Sequence, residues 1–218
     1  MPKIYDLGRT SNRLTDLHLI IGEGLCSNIY VIGRKAVTLI DTGVGNNMNP
    51  VLPQLEELGI PPRAITGVVL THAHHDHAMG TFRILEQASP TIYAHKRDLK
   101  YIATQIGPTL QKLDDGDVIE SEKLPLKVIW TPGHTEGGIC LYSEEEKILF
   151  SGDTVFQDGY FGRYDGESGS LNDITDSLRK LTALDVDIML PGHGFPVVEN
   201  AREHIRRAYM NALALNPK

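Results

Sequence analysis

The sequence predicts an α/β protein whose sheets are sandwiched between helices, and three observations predict it. Short apolar runs such as Ala36-Val37-Thr38-Leu39-Ile40 recur along the chain, they are continuous rather than alternating, and segments with amphipathic helical spacing lie between them. A strand with one wet face alternates polar and apolar residues. A continuous run is covered on both faces, and helices are the usual cover. A chain of 218 residues is long enough to bury most of its apolar surface as one domain, residues 1–218, without a disulfide framework.

Leu17 to Gly22, Asn28 to Ile32 and Ala36 to Ile40 read as successive strands of a first sheet, with turns at Gly22-Glu23-Gly24 and Gly33-Arg34-Lys35. Asn49 caps a helix with Pro50 at its first position, and the helix runs through Leu52, Leu55 and Leu58 to a stop at Gly59. Gly59-Ile60-Pro61-Pro62 then returns the chain to a strand containing Val68-Val69-Leu70. A second helix begins at His77, with Met79, Phe82 and Leu85 as its core face, which places Asp76 and His77 at its positive end. In the second half, Leu126 to Trp130, Ile139 to Tyr142 and Lys147 to Phe150 read as strands, the last two joined by a solvated turn at Glu144-Glu145-Glu146. Ser170 caps a helix carrying Leu171, Ile174, Leu178 and Leu181, with Asp173 placed as in a capping box. Ile188-Met189-Leu190 is a further apolar run, and Glu199 to Leu215 reads as a terminal amphipathic helix.

The chemistry lies where the runs end. In five of them an Asp or His follows within about three residues: Asp41, His72, His134, Asp153 and His193. All five are expected to open onto one edge of a sheet, where rigid strands aim side chains from loops. Thr131-Pro132-Gly133-His134, Ser151-Gly152-Asp153 and Pro191-Gly192-His193-Gly194 supply the tight exits this requires. The densest group is His72-Ala73-His74-His75-Asp76-His77, with imidazoles at i, i+2 and i+5 and a carboxylate at i+4. Neutral imidazoles beside a hard carboxylate oxygen suit zinc, and also manganese or iron.

A formal net charge of −7 argues against a surface for nucleic acid, which needs clustered Lys and Arg. A small-molecule substrate is the expected partner, and a homodimer is left open. Cys26 and Cys140 read as separate buried thiols rather than a disulfide or a nucleophile. Neither a signal peptide nor a membrane span is legible, so a cytoplasmic protein with no membrane association is expected. His18, His95 and His204 have no motif around them and read as surface or core residues; His75 reads as solvent-facing or supporting the ligands.

In the order and spacing of these motifs, from about Asn28 to His193, the chain resembles the metallo-β-lactamase superfamily. The resemblance implies an αββα sandwich, two mixed sheets flanked by helices, with two divalent metal ions in a cleft at one sheet edge. It implies His72, His74 and His134 at the first metal, Asp76, His77 and His193 at the second, and Asp153 bridging them. Asp41 resembles the carboxylate that orients a ligand histidine. Zinc is the expected metal, with iron or manganese as alternatives.

The reaction this implies is hydrolysis: water shared by two cations loses its proton near neutral pH, attacks a small ester, thioester or lactone, and Asp76 takes the proton afterwards. Departures from known members narrow the substrate. True β-lactamases usually carry Cys or Ser at Asp153, flavodiiron proteins carry Glu at His74, and lactonases place a catalytic Tyr where this chain has Phe156. Tyr160 or Tyr164 substitutes for that Tyr or is ordinary loop packing. The segment Thr131 to Thr135 is similar to glyoxalase II, yet residues 194–218 are too few for its helical glutathione-binding domain. Gly162-Arg163-Tyr164-Asp165 resembles a stretch of small glyoxalase II-like proteins and of persulfide dioxygenases, so Arg163 is a candidate anion contact, against a simple Arg-Asp clasp. The alternative activity is a mononuclear iron persulfide dioxygenase, which the resemblance would build from His72, His134 and Asp153.

Overall fold

The computed structural model describes residues 3–46, 50–106 and 109–215. Its first sheet runs in chain order through β1 (Ile4–Asp6), β2 (Leu17–Ile20), β3 (Ile29–Ile32), β4 (Val37–Ile40), β5 (Ile65–Val69), β6 (Thr91–His95) and β7 (Leu110–Leu113). Strands β1 to β4 form an antiparallel meander; β4 to β7 are parallel. The second sheet comprises β8 (Val118–Ile119), β9 (Leu126–Trp130), β10 (Ile139–Ser143), β11 (Ile148–Gly152) and β12 (Ile188–Pro191), ordered β12-β11-β10-β9-β8. Its pairings are antiparallel except β11 with β12. The helices are α1 (Val51–Glu57), α2 (His75–Ala78), α3 (Gly80–Leu85), α4 (Leu99–Ile106), α5 (Leu171–Thr182) and α6 (Ala201–Leu215).

Burial explains why the strand runs are continuous. Leu17, Leu19, Tyr30, Ile32 and Ile40 point between the sheets and meet Leu126, Val128, Ile139, Leu141, Phe150 and Leu190. The alternate residues Ile20, Ile29, Val31, Val37 and Leu39 point outward under α1, α3 and α4, against Val51, Leu55, Ile84 and Ile102. On the other side Cys140, Tyr142, Leu149 and Met189 lie under Ile174 and Leu178 of α5 and Ile205 and Ala208 of α6. The result is helix, sheet, sheet and helix in four layers, as expected. Each fully buried aliphatic side chain contributes about 1.5–3 kcal/mol.

Several boundaries differ from expectation. The five runs do not share one sheet: two belong to the first and three to the second. The helix expected at His77 begins at His75, with His74 at its cap position, and is interrupted at Met79. There the Gly80 N–H turns to the Gly43 carbonyl at 2.9 Å, because the backbones are so close that a Cβ at Gly80 would lie 1.9 Å from the Thr42 oxygen. Met79 is consequently only half-buried and is not part of the outer core, which Phe82 and Leu85 do join. Asn49, the expected cap of α1, lies outside the described residues, and Pro50 occupies the cap rather than the first turn. The stop at Gly59 holds: with φ 73°, it donates to Glu56 while Ile60 donates to Leu55, the Schellman arrangement. Ser170 accepts from the Asp173 N–H as expected, and α6 begins at Ala201 rather than Glu199. Strands β1, β6, β7 and β8 and helix α4 carry no clear signal in the sequence. Among the described residues no helix is long and apolar enough to cross a membrane.

Candidate metal centre

Strands β4 and β5 run in one direction, and β9, β11 and β12 share a direction through their pairings with β10 and with each other. Asp41, His72, His134, Asp153 and His193 follow the carboxyl ends of these five strands, and the structure brings them together with His74, Asp76 and His77. Tight backbone makes this convergence fit. Gly133 has φ 130°, and a Cβ there would lie 2.1 Å from the Ile174 nitrogen. At Gly192 a Cβ would lie 2.3 Å from Asp153 Oδ1. A register shift between Phe150 and Gly152, where β11 pairs with β12, turns the chain so that Asp153 faces the centre. Asn28 latches the His193 loop, donating from Nδ2 to the Pro191 and Gly194 carbonyls at 3.0 and 2.8 Å.

The donor atoms form three overlapping groups, His72/His74/His134, His72/His77/Asp153 and Asp76/His77/His193, each spanning no more than 4.8 Å. His74 Nδ1 lies 3.0 Å from His72 Nε2 and 2.9 Å from His134 Nε2. Asp153 reaches across: Oδ1 is 3.3 Å from His77 Nε2, and Oδ2 is 3.6 and 3.5 Å from His134 and His193 Nε2. Asp76 Oδ2 is 3.3 Å from His193 Nε2.

The surrounding hydrogen bonds decide which ring nitrogens present lone pairs. His77 Nδ1 lies 2.7 Å from Asp41 Oδ2, and His134 Nδ1 lies 2.7 Å from the Arg163 carbonyl. Both partners are acceptors, so each Nδ1 carries the hydrogen and each Nε2 faces the centre with its lone pair in the neutral ring. Asp41 also accepts from the Thr71 N–H and hydroxyl, both at 2.8 Å, and Thr71 Oγ1 is 3.1 Å from His72 Nδ1. One buried carboxylate thus orients His77 directly and His72 through Thr71. Converging imidazole lone pairs, plus a buried Asp153 Oδ1 whose near neighbour is the His77 Nε2 at 3.3 Å, fit a divalent cation far better than a packed polar core.

Without a cation the site stores charge as proton pairs. Burial opposes a proton on His77, yet Asp153 and Asp41 on either side hold its pKa well above the ordinary range. Burial likewise opposes His193, which Asp153 and Asp76 push up to about 9. Burial would raise the Asp153 carboxyl, but His77 holds it well below the usual range. His72 and His74 are lowered, by burial first and then by neighbouring histidines. The two raised histidines stabilise the metal-free fold fully below their ordinary value of 6.5. That contribution is lost as the pH rises through their folded values. Chelated protein is therefore expected to melt at falling temperature from pH 6.5 toward about 9, by thermal denaturation; a flat profile over that window would contradict the pairing.

Other predicted residues lie elsewhere. Arg163 is 73% exposed and grips Asp165 through Nε and Nη2 at 2.9 and 3.2 Å, so only its backbone carbonyl serves the site. A cavity of about 220 Å³ beside His74 and His134 is lined also by His75, Asp98, Tyr101 and Glu167, without Arg163. Tyr164 stacks on Phe161 and joins the outer core; Tyr160 is 70% exposed. The Phe156 ring lies 6.3 Å from His193. His18 and His95 are buried, His95 stacking on Trp130, and His204 accepts from the Asp158 N–H at 2.7 Å. Cys26 and Cys140 are buried and free. Sequence reasoning missed Thr71 and Asp98; Thr71 borders the histidine motif, but nothing local marks Asp98.

The family model described as "Metallo-beta-lactamase superfamily" matches residues 22–193. The chain is 32% identical over 192 residues to the "Atrochrysone carboxyl ACP thioesterase" of Aspergillus fumigatus, covering 83% of this chain and 54% of that protein. It is 33% identical over 132 residues to the "Hydroxyacylglutathione hydrolase" of Francisella tularensis subsp. novicida, covering 60% and 50%. The chain spans about half the length of these curated relatives. The solved structure of TTHA1623 in a di-iron-bound form superposes with a TM-score of 0.68 at 26% identity, covering 82% of this chain and 92% of that one. With the family model matching residues 22–193, most of the chain, and the fold superposing, this protein belongs to the metallo-β-lactamase superfamily.

Proposed function

We propose that this protein is a hydrolase of a small ester, thioester or lactone that works with two divalent metal ions. One observation carries the reading: seven donors, His72, His74, Asp76, His77, His134, Asp153 and His193, surround one centre, and Asp153 lies within 4 Å of His77, His134 and His193. His72, His74 and His134 would hold one ion, Asp76, His77 and His193 the other, with Asp153 shared. When bound, such ions acidify water and polarise a carbonyl oxygen. Asp76, whose side chain is 29% exposed, receives the proton released as water attacks. Asp41 keeps His77 and His72 in the tautomers that face the centre. The cavity beside His74 and His134 receives the part of the substrate nearest the reacting carbonyl. No side-chain nucleophile is required.

The names of the two relatives, a thioesterase and a hydroxyacylglutathione hydrolase, support thioesters and related acyl compounds as the substrate class. Zinc is the metal we assign, and the di-iron form of TTHA1623 supports a two-metal count with iron as the alternative. The net charge of −7 supports a small molecule over nucleic acid as partner. The test is turnover of matched ester, thioester and lactone panels by protein stripped with chelator and reloaded. Hydrolysis of at least one class, restored by two equivalents of metal, is expected; oxygen consumption with a persulfide and one iron per chain, without hydrolysis, would replace this reading with the dioxygenase.

A further inference from the structure

Asp98 is fully buried, at 0% exposure, in the wall of the cavity beside His74 and His134, and the mechanism above gives it no step. It sits between β6 and α4, a place that suits a helix cap, yet its side chain bonds elsewhere. Oδ2 accepts the Ala73 N–H at 2.8 Å and the Thr135 hydroxyl at 3.2 Å. Ala73 lies between His72 and His74; Thr135 follows His134. A single oxygen therefore joins the two segments that carry the His72/His74/His134 group. The other oxygen, Oδ1, is packed on the Gly137 backbone, so close that a Cβ there would lie 2.3 Å away, and it forms no well-made hydrogen bond.

A buried carboxylate ordinarily has a cation beside it. Here the cations nearest in sequence are engaged elsewhere: Lys96 pairs with Asp114, Lys100 with Glu136, and Arg97 lies 5.0 Å over the Trp130 ring. Burial holds the Asp98 carboxyl above its ordinary range against the hydrogen bonds from Ala73, Thr135 and Gly137, and Glu136, another anion, adds to the rise, so a negative charge here calls for a cation close by. Among the described residues no Lys, Arg or His forms an ion pair with it. The site one residue away from both of its hydrogen-bond partners is the one whose donors suit a dication.

We propose that Asp98 is a positioning residue for the metal centre, clamping the His72–His74 segment to the His134 loop and supplying a buried negative charge balanced by the cation those three histidines hold. This rests on the two-metal reading of the site. A clamp alone would make Asp98 a structural residue; the charge makes its value depend on whether the metal is present.

The experiment is cobalt(II) binding by wild type, Asp98→Asn and Thr135→Val, read by chelator competition and by the visible absorption of bound cobalt, with melting temperatures of apo and loaded forms. Asp98→Asn is expected to weaken one of two sites about 10- to 100-fold, to change that site's cobalt spectrum, and to lower the melting temperature of the loaded form more than that of the apo form. Thr135→Val, which keeps the charge and removes one hydrogen bond, should shift the spectrum in the same direction with a smaller affinity loss. If Asp98→Asn does not fold, Thr135→Val tests the clamp by its spectrum and Asp98→Glu, which keeps the charge, tests the charge: cobalt affinity near that of wild type supports it, and loss of cobalt binding in the folded variant overturns it. Wild-type affinity and spectra in the folded variants, or equal losses of apo and loaded stability, would overturn the role of Asp98 alone. Wild type that binds no cobalt would overturn the two-metal reading as well.

Discussion

Asp153→Ala is expected to lose turnover and metal retention together. Its carboxylate lies within 4 Å of donors from both of the outer histidine sets, His134 on one side and His77 and His193 on the other. It is also the counter-charge that holds His77 and His193 protonated when no metal is present. Removing it takes away that counter-charge and the carboxylate we propose the two metal positions share. Transition-state stabilisation by metal of several kcal/mol corresponds to about 10³-fold or more in rate. Metal content of the purified variant should fall to one ion per chain or fewer, by elemental analysis. Wild-type turnover with two bound ions would remove Asp153 from the bridge.

Asp41 carries the second large effect, and the conservative replacement is the informative one. Asp41→Asn preserves size and the left-handed backbone, φ 58°, which Asn tolerates. An amide oxygen still accepts from the Thr71 N–H. The amide nitrogen, however, is a donor where His77 Nδ1 now donates to a carboxylate at 2.7 Å. His77 must then carry its hydrogen on Nε2, the atom that faces Asp153 and His193, and it offers the centre no lone pair. A folded protein with metal affinity or activity reduced about 10- to 100-fold is expected. Asp41→Ala should add a stability cost of about 1–3 kcal/mol for the buried Thr71 donor left unpaired. Unchanged metal affinity in Asp41→Asn would reduce Asp41 to a packing role.

The donor set is legible in the sequence because its physics is local. An apolar run ending in Gly and then Asp or His marks a strand whose exit turns a side chain back over the sheet, as at Gly152-Asp153 and Gly192-His193. The four layers are legible for a similar reason, since only strands covered on both faces tolerate runs such as Ile148-Leu149-Phe150. The features that stay hidden depend on partners distant in sequence. Strand β7, Leu-Gln-Lys-Leu, has two exposed polar residues and forms by pairing with β6. The interruption of the histidine helix at Met79 comes from the Thr42 backbone lying against Gly80. The division of the five runs between two sheets comes from which strands pair, something no single run encodes. Asp98 looks like any polar residue ahead of a helix, and its partners Ala73 and Thr135 lie 25 and 37 residues away. Arg163 draws attention by resemblance alone, and its clasp with Asp165 keeps the guanidinium out of the cavity.

Elemental analysis of protein purified without added metal tests the two-metal centre most directly. About two divalent ions per chain, zinc foremost, with both lost on chelation and restored on reloading, is the predicted result. A single iron per chain that saturates the site, or no retained metal with full activity, would contradict it.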